Sequence, residues 1–96
     1  MFVRVVRFQD TDAEKMNSMN DRIEGSDGPP PGVNATGIKV LFDADQGTAV
    51  VLQFYATAQD MADAEAIFDA MPASDTPGTR VSVDRCETKL ELSNPA

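Results

Sequence analysis

The sequence contains no histidine and no tryptophan, and Cys86 is its single cysteine. Histidine is the commonest protein ligand for transition metals and the usual base that activates a nucleophile. Its absence therefore argues against a zinc site and against a cysteine–histidine catalytic pair. We expect Cys86 to be a small buried core residue, and we expect the protein to use neither a metal nor another cofactor.

Long apolar runs are also missing, since the longest, residues 49–52, ends after four residues. A transmembrane helix needs about 20 apolar residues. The first residues alternate like a strand and do not resemble a signal peptide. A single cysteine also suits a reducing compartment, so a cytoplasmic protein is expected.

Basic residues are scarce, because eight lysines and arginines stand against 16 acidic residues and give a formal net charge of −8. Nucleic acids and anionic membranes bind concentrated positive charge, so neither is an expected partner. Most of the positive charge nevertheless falls on predicted strands. A locally positive sheet face can hold an anionic or carbonyl ligand, and ion pairs between strands explain the same pattern. The basic residues on predicted strands are Arg4, Arg7, Lys39, Arg80, Arg85 and Lys89.

The remaining composition is that of a small globular protein. The chain has 96 residues, of which 42% are hydrophobic, and this is enough for one modest core. We expect a single domain over residues 1–92 and a polar tail at 93–96.

Residues 48–55 form the clearest predicted element, a β-branched and aromatic stretch bounded by a glycine-containing turn at 45–47. Side chains alternate along a strand, so Val50 and Phe54 share one face while Val51 and Tyr55 share the other. Both faces are apolar, and each therefore needs a cover.

The predicted helices span 12–24 and 58–71, because apolar side chains recur there three and four residues apart. Thr11 and Glu14 match a capping box at the start of the first helix, and Thr57 is the expected cap of the second. A run of three prolines at 29–31 predicts a rigid connector. The predicted strands are residues 2–8, 37–43, 48–55 and 80–92.

The last predicted strand changes phase along its length. Val81 and Val83 are apolar at odd positions, whereas Cys86, Leu90 and Leu92 are apolar at even positions. A change of phase in a pattern of period two predicts a β-bulge, or a strand whose second half packs on something different from its first half.

The order of elements is β-α-β-β-α-β, which predicts an α+β ferredoxin-like fold with a four-stranded antiparallel sheet. Two right-handed crossovers place both helices on one face of that sheet. The opposite face is then apolar and bare. A second copy of the chain is the simplest cover, so we expect a homodimer through the open sheet face.

The layout, the length and the Gln53-x-Tyr55-x-Thr57 run before an alanine-rich helix resemble the dimeric α/β-barrel superfamily, in particular its small antibiotic-biosynthesis-monooxygenase-like proteins. Many of those proteins carry Glu-x-Trp at the end of this strand and a histidine on the next helix. Gln53, Tyr55 and Ala64 stand at those positions here. The resemblance thus implies a dimeric α/β barrel without the histidine that haem degradation requires.

A barrel interior between two sheets can hold one small ligand. The strand residues that would line it with polar groups are Arg4, Gln53, Tyr55 and Arg85. An arginine can orient a carboxylate or an enolate, and Tyr55 can donate a hydrogen bond or relay a proton. The alternative for Arg4 is an ion pair across the sheet with an acidic residue of the last strand, Asp84 or Glu87.

Three functions remain open from the sequence. The first is a homodimeric barrel that binds a small apolar or anionic ligand between its sheets. The second, implied by the family resemblance, is a cofactor-independent monooxygenase-like enzyme that acts on an aromatic substrate. The third is a structural or interaction dimer whose interior is filled by side chains.

Overall fold

A computed structural model of the chain describes residues 1–70 and 76–94. The order of elements is as predicted. Met71, the last residue of the predicted second helix, and residues 95–96 of the predicted tail lie outside the described residues. The elements are β1 (Phe2–Gln9), α1 (Ala13–Glu24), β2 (Gly37–Asp43), β3 (Thr48–Tyr55), α2 (Ala58–Asp69) and β4 (Thr79–Glu87).

The four strands form one antiparallel sheet in the order β2-β3-β1-β4. β1 lies at the centre, with Val6 opposite Val51 of β3 on one side and opposite Val83 of β4 on the other. The predicted hairpin between β2 and β3 is confirmed, and its turn places Gly47 at a φ of 66°. This arrangement confirms the predicted ferredoxin-like α+β fold.

Both helices pack on the same face of the sheet, as two right-handed crossovers require. Met16 and Met19 of α1 pack against Val6 and Val51. Met61 and Ala64 of α2 pack with Tyr55 in a second cluster, which Phe2, Ile67 and Phe68 flank. The apolar stripes read from the sequence are therefore the stripes that the helices bury.

The opposite face of the sheet, which we call the open face, has no helix over it. Its central apolar side chains are only half-buried: Val3, Val5, Val50, Leu52 and Phe54. Cys86 lies opposite Val3 on this face and is exposed, so the prediction that Cys86 is buried is wrong. Cys86 lies on an edge strand and on the face that points away from the helices, so neither helix covers it.

The two helix starts differ in how well the sequence predicted them. Thr57 caps α2 as expected, and its hydroxyl accepts a hydrogen bond from the Asp60 amide at 3.1 Å. The expected Thr11 cap of α1 is wrong, because Asp12 is the N-cap and its carboxylate accepts from the Lys15 amide at 2.8 Å. A carboxylate accepts this bond and also interacts favourably with the positive end of the helix dipole.

β4 contains a bulge, but earlier than the sequence predicted. Ser82 lies opposite Arg7 and Arg80 lies opposite Phe8, so Val81 is the extra residue. The strand then ends at Glu87, and the predicted continuation to Leu92 is wrong. The reason lies in the neighbouring strand, since β1 begins at Phe2, opposite Glu87, and beyond that pair a single bond from the Thr88 amide to the Met1 carbonyl joins the two segments.

The connector between α1 and β2 contains the three prolines at 29–31 and is not a straight segment. The Val33 amide donates to the carbonyl oxygen of Pro30 at 3.0 Å, which closes a turn and carries Val33 into the cluster under α2. Neither helix in the described parts of the chain is long and apolar enough to cross a membrane.

Candidate functional site

A row of polar side chains crosses the helix-covered face of the sheet. Arg4 of β1 lies between Gln53 of β3 and Arg85 of β4, each directly opposite it in the register. Tyr55 follows two residues after Gln53 and therefore points to the same face. All four predicted site residues thus lie on the face under α2. A ligand that they hold would lie between the sheet and the helices and not between two sheets.

Arg4 is the least expected buried residue of the chain, because its residue surface is only 3% exposed. Its Nη1 atom donates to Gln53 Oε1 at 3.1 Å, and its guanidinium carbon lies 5.1 Å from the centre of the Phe68 ring. Its Nε atom is buried and has no hydrogen-bond partner among the described residues. The guanidinium therefore keeps one donor that none of these residues satisfies.

Gln53 joins Arg4 to Tyr55. The same atom, Gln53 Oε1, accepts from Arg4 Nη1 and from the Tyr55 hydroxyl, the latter at 3.3 Å. Tyr55 is completely buried and Gln53 nearly so. We call Arg4, Gln53 and Tyr55 the polar cluster. Because these three side chains are buried together, each hydrogen bond between them is stronger than it would be in water, and the loss of one costs more free energy.

The charges around the polar cluster do not cancel. Arg85 Nε donates to Glu65 Oε2 of α2 at 2.6 Å, and Arg80 Nη1 lies 3.6 Å from Asp69 Oδ1, also on α2. Both carboxylates are therefore engaged by the partly exposed arginines of β4. The buried cation, Arg4, has no carboxylate within ion-pair distance in the described part of the chain, and only the nearby charge of Asp69, which Arg80 engages, acts on it from α2.

The predicted alternative, in which Arg4 forms an ion pair with Asp84 or Glu87, is wrong. Asp84 lies on the open face, 3.9 Å from Arg7, and Glu87 pairs with Lys89 at 3.1 Å. Side chains alternate along β4, so a carboxylate one residue before Arg85 points away from Arg4. The residue that faces Arg4 from β4 is another arginine.

Burial shifts the ionisation of two groups in the polar cluster. It lowers the pKa of Arg4, because a low-dielectric environment disfavours the charged guanidinium. It raises the pKa of Tyr55, and the nearby Arg4 charge opposes that shift only in part. Since the ordinary pKa of tyrosine is already about 10, Tyr55 is protonated near neutral pH and acts as a hydrogen-bond donor.

Sequence reasoning found Arg4, Gln53 and Tyr55, because polar residues at positions that alternate with apolar ones stand out in a buried strand. It missed Phe68, which covers the guanidinium, and it missed Glu65 and Asp69, which neutralise the arginines of β4. Phe68 belongs to the apolar stripe of α2 and packs, partly buried, against the cluster around Tyr55. Nothing in the spacing of that stripe indicated which strand residue it would contact.

The other candidate sites on the described surface contain fewer buried polar groups that could bind a ligand. No group of three or more acidic or cysteine side chains that could hold a metal ion occurs in residues 1–70 and 76–94. A depression of about 310 Å³ lies at one end of the open face, between Arg7, Val50 and Val81. Another, of about 430 Å³, lies along α1 beside Asp12 and Ser18. Neither is lined by the polar cluster.

Comparison of the chain with protein-family models, with curated proteins and with solved structures finds no match. Its function therefore has to be inferred from the residues described above.

Proposed function

We propose that the protein is a homodimer that binds a small anionic ligand at the polar cluster, a carboxylate or an enolate with an apolar or aromatic body. One observation carries this proposal: the residue Arg4 is 3% exposed, and no described carboxylate lies within ion-pair distance of its guanidinium, since the nearby charge of Asp69 is engaged by Arg80. Taking an ion out of water costs several kcal/mol unless a partner compensates. A bound anion would supply the missing partner.

The donors in the polar cluster define the ligand. Arg4 Nε has a free N–H group, and the Tyr55 hydroxyl is a second donor if the ligand displaces it from Gln53. An oxygen with negative charge is the acceptor that a guanidinium binds most strongly. The surroundings are apolar, since Phe2 and Phe68 flank the cluster around Tyr55. They favour a ligand whose anionic group is attached to a hydrophobic body.

Binding is better supported than catalysis. Abstraction of a proton from a substrate needs a group that accepts the proton, whereas Arg4 and the protonated Tyr55 both donate. A monooxygenase-like reaction would need a base from outside the polar cluster. We therefore favour the ligand-binding function over the enzymatic alternative.

The homodimer is supported by the open face. Five apolar side chains are half-buried there in a chain of 96 residues, and exposed apolar patches of a few hundred Å² usually mark interfaces. Covering this face with a second sheet would complete the two-sided burial that β3 requires. Sedimentation of a dilute sample tests this part, and a well-folded particle of 10.3 kDa would contradict it.

Benzoate and benzamide test the anionic ligand, because they share a ring and differ in charge. We expect benzoate, but not benzamide, to raise the thermal unfolding temperature of the wild-type protein. Arg4→Met should weaken benzoate binding by about 10-fold or more, as expected for a lost charge-assisted hydrogen bond. Arg22→Met removes an arginine from α1, outside the polar cluster, and should leave the affinity unchanged.

Mass spectrometry of natively purified protein complements this titration by identifying ligands that survive purification. Equal binding of benzoate and benzamide, or an unchanged benzoate affinity in Arg4→Met, would contradict the proposed site. A protein that carries no ligand and binds neither probe would instead have the side-chain-filled interior of a structural dimer.

A further inference from the structure

The residues that follow β4 lie at the edge of the sheet, and we call residues 88–92 the arm. The Thr88 amide donates to the Met1 carbonyl at 2.9 Å and continues the β4 ladder by one step. Residues 89–94 belong to no helix or strand. Leu90 is 77% exposed and Leu92 is 84% exposed, the two most exposed large apolar residues described.

The direction of these leucines follows from the strand before them. Cys86 lies opposite Val3 and Asp84 opposite Val5, so even-numbered residues after the bulge face the open side of the sheet. Thr88, opposite Met1, keeps this alternation. If the arm stays extended, Leu90 and Leu92 continue the open face beyond the edge of its own sheet.

We infer that the arm crosses to a second copy of the chain and packs Leu90 and Leu92 on the open face of that copy. The inference rests on the homodimer proposed above and extends it, because the interface then consists of the sheet face and an exchanged arm. Two-fold symmetry makes the exchange reciprocal: each chain gives one arm and receives one.

Charge favours a second copy of this chain as the occupant. The chain as a whole carries −8, yet Arg7 and Lys39 on the open face balance Asp43 and Asp84 on the same face. The arm is balanced too, with Lys89 beside Glu91. A neutral face and a neutral arm let two strongly acidic chains approach at a surface where their local charges balance.

The size of the open face also favours a second copy of the chain as its cover. A sheet of four strands about 4.8 Å apart, with strands of about seven residues at 3.3 Å each, offers roughly 400 Å² of projected face. A stable interface usually buries about 800 Å² on each partner. The accessible area of a corrugated face exceeds its flat projection, so the open face is of the right order for an interface, and an exchanged arm with two leucines adds apolar contact where the sheet ends.

A pair of double variants separates apolar packing from charge. Leu90→Asp with Leu92→Asp removes the leucines and adds two negative charges to the arm. Ser93→Asp with Asn94→Asp adds the same charge two residues further on, at polar positions. Because burying two leucines favours association strongly, we expect the first variant to weaken the dimer about 100-fold or more in equilibrium sedimentation. The second variant should change its dissociation constant by less than about threefold, as rim charges do.

The outcomes distinguish the arm from the dimer itself. If the wild-type protein is a dimer and the two double variants have equal dissociation constants, the exchanged arm is wrong and the homodimer stands. A monomeric wild-type protein overturns both. Leu90→Ala with Leu92→Ala, checked by circular dichroism, provides a variant without added charge, and it should weaken the dimer in the same direction with the monomer fold unchanged.

Discussion

Arg4 and Arg85 lie directly opposite each other on neighbouring strands, β1 and β4. Like charges in such a cross-strand pair destabilise a sheet. The two side chains resolve the conflict differently, since Arg85 extends to Glu65 at the surface and Arg4 turns inward to Gln53. The buried member of the pair has no carboxylate in direct contact among the described residues, and two of the predictions about stability depend on that fact.

Arg4→Met should leave the free energy of unfolding unchanged or raise it by about 1–2 kcal/mol, because an apolar side chain of similar length avoids the cost of burying a cation. The Tyr55 hydroxyl would still donate to Gln53 in this variant. Urea unfolding measures the change. A loss of more than about 2 kcal/mol would mean that Arg4 is there for stability and not for a ligand.

Gln53→Leu should lower the free energy of unfolding by about 2–4 kcal/mol, because Arg4 and Tyr55 both lose their acceptor in a buried place. The combination of Gln53→Leu with Arg4→Met should recover part of that loss, since the orphaned cation is then gone. A double-mutant cycle from urea unfolding gives the coupling. Additive losses in the cycle would show that the two side chains act independently.

Gly78→Ala should destabilise the protein by about 2–3 kcal/mol, the range for strained backbone positions. Gly78 has a φ of 156°, and a Cβ atom there would overlap the carbonyl oxygen of Gln9. Gly28→Ala is the matched control, because Gly28 also has a positive φ, 133°, but its Cβ would meet nothing within 4 Å. Equal losses of thermal stability in the two variants would exclude the contact with Gln9 as the cause.

The turn between β2 and β3 should make stability depend on pH in the acid range. Hydrogen bonds from the Gln46 side chain, at 2.8 Å, and then from backbone amides hold the pKa of Asp43 below its ordinary value. A lowered carboxyl pKa contributes stability that is present above the unfolded pKa of about 4 and disappears as pH falls through the folded value.

Gln46→Ala removes the largest cause and should move the pKa of Asp43 upward, toward that of a free aspartate. Carboxyl-detected NMR titration measures this shift directly. Gln59→Ala is the control, since it removes a similar 2.8 Å bond, from Gln59 to Asp63 on α2, and should leave the Asp43 titration unchanged. An Asp43 pKa that is equal in wild type and Gln46→Ala would refute the role given to the Gln46 amide.

Much of the fold could be predicted because it depends on local patterns and on chain order. The alternation in β3 correctly separated Val51 and Tyr55 from Val50 and Phe54, and the element order placed both helices over one of these sets. Features that depend on pairing between strands were harder to predict. Cys86 is exposed because β4 is an edge strand, and edge position is a property of the sheet and not of the residue.

The residues of the candidate site could be predicted from local patterns, but their contacts with one another could not. Arg4 and Gln53 attract attention in the sequence because each interrupts an apolar face. That they lie opposite each other depends on the register of two strands 49 residues apart, which no local pattern fixes. The register between β1 and β4 decides whether a carboxylate faces Arg4. A shift of one residue would place Asp84 opposite Arg4, but the observed register places Arg85 there.

The extra residue in β4, Val81, also bears on how the protein behaves at high concentration. β4 is an outermost strand, and an outer strand with an unbroken row of free backbone groups can template the stacking of further molecules into fibrils. Regular pairing along this strand would be interrupted at Val81, where the backbone repeat is out of step. One inserted valine thus makes this edge of the sheet a poorer template for open-ended growth than an unbroken strand would be.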